Sequence, residues 1–170
     1  MSLLSRKNRP DSRVVADYRR QTGHDARVLA TGSGPRAELL AFADRMAVRV
    51  ADEPWRAIGW HQVQTGGWNA ERAELHWRLT DGSKEAVQLT EPRSLPTVFR
   101  ERVQATIAVQ DQFDVPGGGA VLISARRDLS AGSPELVWSA TAVRGARMDN
   151  PVVKSLADEA LARLRADYDF

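Results

Sequence analysis

His24, His61 and His76 are the only histidines in the chain, and there is no cysteine, so these three imidazoles carry any zinc chemistry available. A zinc site needs two or three such ligands at set spacing. His76 instead stands on the polar side of its segment between Glu74 and Arg78, and His61 lies beside Trp60 near a bend. They read as solvated or structural histidines. Acyl transfer needs a nucleophile with a base at hand. Ser124 and Ser139 lie in apolar runs with no histidine near them in sequence, and no Gly-x-Ser-x-Gly elbow occurs. The close carboxylates, Asp111 with Asp114 and Asp158 with Glu159, fall in a loop and on the outer side of a helix, without the pocket that acid–base work requires. Gly117-Gly118-Gly119 precedes a strand, whereas a phosphate cradle leads from a strand into a helix N-terminus. No catalytic residue, metal site or cofactor is expected.

Residues suited to binding are easier to find. Four of the five tryptophans lie between Trp55 and Trp77. Trp77 shares a face with Leu75 and Leu79 and reads as a core anchor. For Trp60 and Trp68, which adjoin Gly59 and Gly66-Gly67, a core position is the first reading, and exposure on a Gly-rich edge as partner-binding anchors is the alternative. Charge is uneven along the chain. Residues 1–30 carry a net +4, so the formal +2 of the whole belongs to an N-terminal arm and the body is slightly acidic. In that arm Arg6, Lys7, Arg9, Arg13, Arg19 and Arg20 are the candidates for contact with anionic lipid or RNA, although a solvated tail is the plainer reading. Only Lys7, Lys84 and Lys154 are lysine among 24 basic residues, which the codon bias of a GC-rich genome explains more simply than phosphate recognition.

The elements that would position these residues follow from periodicity. Asp11 caps a short helix through residue 21, with Gly23 just past its end. Alternation then gives strands at 27–32, 38–43, 45–50, 56–58, 61–68, 73–79 and 84–90, the last two joined by the Asp81-Gly82 turn. In the third strand, Met46, Val48 and Val50 are expected inside, with Arg45, Ala47 and Arg49 in water. Leu95, Val98, Phe99, Val103 and Ile107 then form the stripe of a helix over 94–109. After a loop come strands at 120–126 and 136–143 and a helix over 150–167, capped by Asn150.

Several of these segments have a familiar text. LLAFADRMAVRV at 39–50, WRAIGWHQV at 55–63, the Asp81-Gly82 turn and the closing helix are similar to bacterial pleckstrin-homology-like domains. The resemblance covers residues 27–109, about half of the chain. The whole chain resembles an uncharacterised family from GC-rich bacteria. The likeness implies a partly open barrel of two sheets plugged by one helix, and a binding or scaffolding role. Phosphoinositide-binding members carry paired bases where the second strand begins. Here the matching residues are Arg36-Ala37-Glu38, and Glu38 stands in place of a base.

The expectation is therefore an α+β protein, a PH-like seven-stranded partly open barrel capped by a helix, with an appended strand–strand–helix. Residues 1–24 would form the partly disordered arm, 25–110 the barrel and 111–170 an extension, all in one structural unit that also permits self-association. The N-terminus has no signal-like apolar run, and no segment approaches a bilayer span. The chain reads as a cytoplasmic, non-enzymatic module that binds an unidentified protein. A ligand-holding or catalytic α+β cup, with the last helix over a curved sheet, is the alternative. Peripheral binding of anionic lipid or RNA through the arm is a further one.

Overall fold

The computed structural model describes residues 8–130, 132 and 135–168. Helix α1 spans Ser12–Thr22. Asp11 caps it by accepting the Arg13 N–H at 3.0 Å, and Gly23, at φ 70°, closes it by donating its N–H to the Arg19 carbonyl at 2.9 Å. Eleven residues make a marginal helix in water, so α1 depends on what it covers. Val14 and Tyr18 pack on Leu40, Phe42 and Ala47 of the first sheet.

That sheet consists of β1 (Ala30–Ser33), β2 (Ala37–Ala41), β3 (Arg45–Val50) and β4 (Arg56–Gly59), antiparallel and in chain order. Because α1 lies on one face and the main core on the other, alternation along β3 does not mean one wet face. Ala47, expected in water, is 1% exposed. The first strand also starts later than its apolar text suggests, since Val28 packs with the α1 cluster.

A single 3-10 turn, Trp60–Gln62, leads into the second antiparallel sheet, β5 (Val63–Asn69), β6 (Glu74–Leu79) and β7 (Lys84–Gln88). Helix α2 (Leu95–Thr106) follows. Its Leu95, Phe99 and Val103 join Leu39, Met46, Val48, Trp60, Leu75, Trp77 and Leu89 in the main core. Seven strands and then one helix is the expected order. Neither sheet is closed into a barrel. An isolated bridge links the end of β1 to the residues after β7, where Ser33 and Glu91 exchange backbone hydrogen bonds of 3.0 and 2.9 Å. Gly66 is what lets α2 approach β5. A Cβ there would lie 2.7 Å from the Phe99 ring and 2.7 Å from the His76 carbonyl oxygen.

The expected helix over 94–109 ends early. Thr106 donates its hydroxyl to the Val103 carbonyl at 2.6 Å, and from Ile107 the chain is strand β8 (Ile107–Asp114). The loop expected there is thus the third strand of a sheet ordered β10–β9–β8, with β9 at Ala120–Arg127 and β10 at Leu136–Val143. Helix α3 (Pro151–Tyr168) is capped by Asn150, whose side-chain oxygen accepts the Val152 N–H at 3.0 Å. Val121 and Ile123 of β9 fill the space under Val153, Ala157 and Ala160 of this helix.

The chain divides into two units, with the change at Thr106/Ile107 and not at the expected residue 110. Asp128–Gly132 belongs to the first unit, with everything up to Thr106. Among the described residues no helix is long and apolar enough to cross a membrane.

The Gly66 contact makes a measurable demand. Gly66→Ala is expected to cost about 1–3 kcal/mol through overpacking, read by urea unfolding. Combined with Phe99→Leu, it should cost less than the sum of the two single changes.

Candidate functional site

Strands β2 and β3 leave the Ala43-Asp44 turn in a register that sets Glu38 directly opposite Arg49. Arg49 donates from Nε to Glu38 at 2.9 Å and from Nη1 to Asp17 of α1 at 2.5 Å, and a second Arg49 nitrogen also bonds Glu38. Its guanidinium carbon lies 4.7 Å from the centroid of the Trp55 ring, a cation–π distance. Asp17 receives further hydrogen bonds from Arg20 and from Gln21, the latter at 3.0 Å.

This triad forms one wall of an open cleft of about 1020 Å³. The β1–β2 turn, Ser33-Gly34-Pro35-Arg36, supplies a second wall and the β3–β4 loop, Ala51–Pro54, a third. Gly34 fixes how closely the turn sits. A Cβ there would come within 1.8 Å of the Gln88 carbonyl oxygen, so only glycine permits the contact. Six carboxylates (Asp11, Asp17, Glu38, Asp52, Glu53 and Glu91) and three arginines (Arg13, Arg36 and Arg49) line the cleft, which leaves it acidic.

The electrostatics hold these groups in their charged forms. The Arg49 guanidinium beside Asp17 holds its carboxyl below the ordinary value, against a smaller opposing effect of burial. Burial works against the charge on Arg49, but the hydrogen bonds it donates to Glu38 and Asp17 overcome it and raise its pKa. Both shifts lead away from neutrality, so neither group is placed to exchange a proton near pH 7. The arrangement suits recognition of charge.

The residues singled out in the sequence are scattered. Trp60 is fully enclosed, donates its indole N–H to the Phe42 carbonyl at 2.9 Å and meets Phe99 edge-on at 5.8 Å. Of the two readings of Trp60 the core position is the one found, because the 3-10 turn swings the ring inward between the two sheets. Trp68 pairs with Leu75 on the inward face of β5 and packs half-buried against the core. Arg6 and Lys7 lie outside the described residues. The Arg9 carbonyl accepts a hydrogen bond from Arg93 at 2.8 Å. Arg13 is 3.9 Å from Asp11, Arg19 is 2.8 Å from Asp25, and Arg20 pairs with Asp17. On α1, therefore, each basic candidate has a carboxylate beside it.

The histidines are equally separate. Nδ1 of His24 shares a 2.8 Å hydrogen bond with the Tyr18 hydroxyl, Nδ1 of His61 is 3.5 Å from Asp128, and His76 is exposed on β6. Ser124 and Ser139 bond each other across β9 and β10 at 3.0 Å. Asp111 and Asp114 are exposed on β8, and Asp158 pairs with Lys154 one helical turn away.

The triad itself escaped the sequence reading, although part of it was legible. Glu38 and Arg49 are equidistant from Ala43-Asp44, the centre of the tight turn, one residue before the Asp44-Arg45 step expected from the sequence, and antiparallel pairing places such residues opposite each other. No comparable signal marks Asp17.

Because the Asp17 carboxyl is held below 3.8 in the folded chain, it binds its proton later than in the unfolded chain as the pH falls. The stability it supplies is complete above that value and is lost as the pH drops through the lower folded value. Asp17→Asn should therefore flatten the acid limb of the stability–pH curve, measured by urea midpoints from pH 2 to 7. An unchanged acid limb would count against the ion pair. Comparison of the chain with protein-family models, curated proteins and solved structures gives no match.

Proposed function

We propose that this protein is a binding module of pleckstrin-homology-like plan, and that the cleft beside α1 receives a cationic segment of a partner protein. The observation that carries this reading is the composition of the cleft: six carboxylates against three arginines around an open mouth. Four strands, three strands and one closing helix support the choice of fold plan.

Asp17 and Glu38 are engaged by Arg49 and act as structure. Asp52 and Glu53, exposed on the β3–β4 loop, are the groups available to an incoming lysine or arginine. The place where an anionic headgroup would need paired bases holds Glu38 instead, so the cleft repels the ligand best known for this fold plan. The cup alternative receives no support from α3, since the space beneath that helix is filled by its own side chains.

The test is a calorimetric titration of the full chain with a short arginine- and lysine-bearing peptide and with its glutamate counterpart at equal ionic strength. The basic peptide should bind saturably. Its affinity should fall about tenfold or more in Asp52→Lys/Glu53→Lys, because opposed charges at an interface discriminate strongly between partners. Equal binding by the parent and the double variant, or preference for the acidic peptide, would sink the proposal.

A further inference from the structure

On the solvent face of the second sheet, Arg78 of β6 and Lys84 of β7 stand directly across from each other. Like charges in opposed positions work against strand pairing. Neither side chain has an ion-pair partner among the described residues, and Nε of Arg78 is enclosed without an acceptor. A buried donor left unmet is costly and calls for an explanation.

The surroundings supply further donors. Thr65 of β5 pairs with Arg78, so one row runs Thr65, Arg78, Lys84 across the three strands. The adjacent row runs Gly67, His76, Ala86, with little side chain on either side of the imidazole. Thr65, His76, Arg78, Lys84 and Ala86, together with Trp77 and Glu85, line a depression of about 500 Å³. The nearby carboxylates do not neutralise the pair. Glu85 is held by Arg56 through bonds of 3.1 and 2.6 Å, and Asp81 accepts from the Ser83 N–H and hydroxyl at 2.8 and 2.6 Å.

We propose that Arg78 and Lys84 form a binding site for the phosphoryl group of a small phosphate monoester, with the Thr65 hydroxyl and the His76 ring as additional contacts. A guanidinium beside an ammonium matches a doubly charged phosphate through charge-assisted hydrogen bonds. The bound anion would also relieve the repulsion between the two cations. A lysine on an edge strand such as β7 has an ordinary use in discouraging strand addition. That use explains neither the arginine opposite it nor the enclosed donor. The source of the phosphate follows from the neighbours. Glu74 lies on the same face beyond His76 and Asp81 stands in the β6–β7 turn, so a nucleic-acid strand or an anionic bilayer would meet like charge on either side of the pair.

The experiment is amide NMR of the full chain, titrated with inorganic phosphate and then with phosphoserine, at ionic strength held constant with chloride. Saturable shifts are expected at Thr65, His76, Arg78 and Lys84. Affinity should drop about tenfold or more in Arg78→Gln and in Lys84→Gln, in keeping with the loss of one charge-assisted bond. Phosphate should raise the melting temperature of the parent and of neither variant. Lys84→Gln should melt at or above the parent temperature without phosphate, which separates lost binding from lost folding. Shifts that follow chloride alone, or equal responses in the variants, would overturn the site. Tighter binding of a short single-stranded RNA, or of phosphatidylserine vesicles, at these same residues would overturn the small-monoester assignment.

Discussion

The β2–β3 hairpin is buried on both faces, and most of the first unit follows from that constraint. Leu39, Leu40 and Ala41 are consecutive and all fully enclosed, which is possible only if something covers each side. Leu39 and Ala41 face the main core, and Leu40 faces α1. A sheet buried this way cannot tolerate a bare polar group in its middle. Its one charged cross-strand pair, Glu38 with Arg49, therefore sits towards the open end, where α1 adds a second carboxylate. The acidic cleft begins where the double cover runs out.

The same constraint explains which parts of the fold were legible in the sequence. Strands with one wet face, such as β6, with Leu75 and Trp77 inward and His76 outward, announce themselves by alternation. The caps of α1 and α3 were equally plain, because Asp11 and Asn150 do their work within two residues of themselves. Ala47 was misplaced because its cover, α1, is distant in sequence. Trp60 stood between core and edge because a neighbouring glycine says that the chain bends but not to which side. Of the cleft, the Glu38–Arg49 pairing follows from register counting only with the turn centred on Ala43-Asp44 and not on Asp44-Arg45, whereas Asp17 arrives by tertiary packing alone.

The passage from α2 to β8 shows a different kind of ambiguity. Ile107 continues the helical stripe of Leu95, Phe99 and Val103, so periodicity alone extends the helix past its true end. What stops it is local chemistry. Thr106 turns its hydroxyl back onto the Val103 carbonyl, and Ile107 and Val109 are β-branched residues suited to a strand. The strand they begin is polar in its middle, with Gln110, Asp111 and Gln112 exposed, and polar text of that kind reads as loop.

Asp128–Gly132 counts with the first unit although it joins two strands of the second, and its Leu129 packs against the main core. In sequence the units are therefore nested and not sequential. A gene fragment ending at Thr106 would encode every strand of the first unit and still omit part of its hydrophobic interior. Recombination, domain shuffling or a stop codon between the two units would leave an incomplete module. The shortest continuous stretch that holds the whole first unit therefore runs from α1 to at least Gly132, and it carries β8 and β9 of the second unit with it.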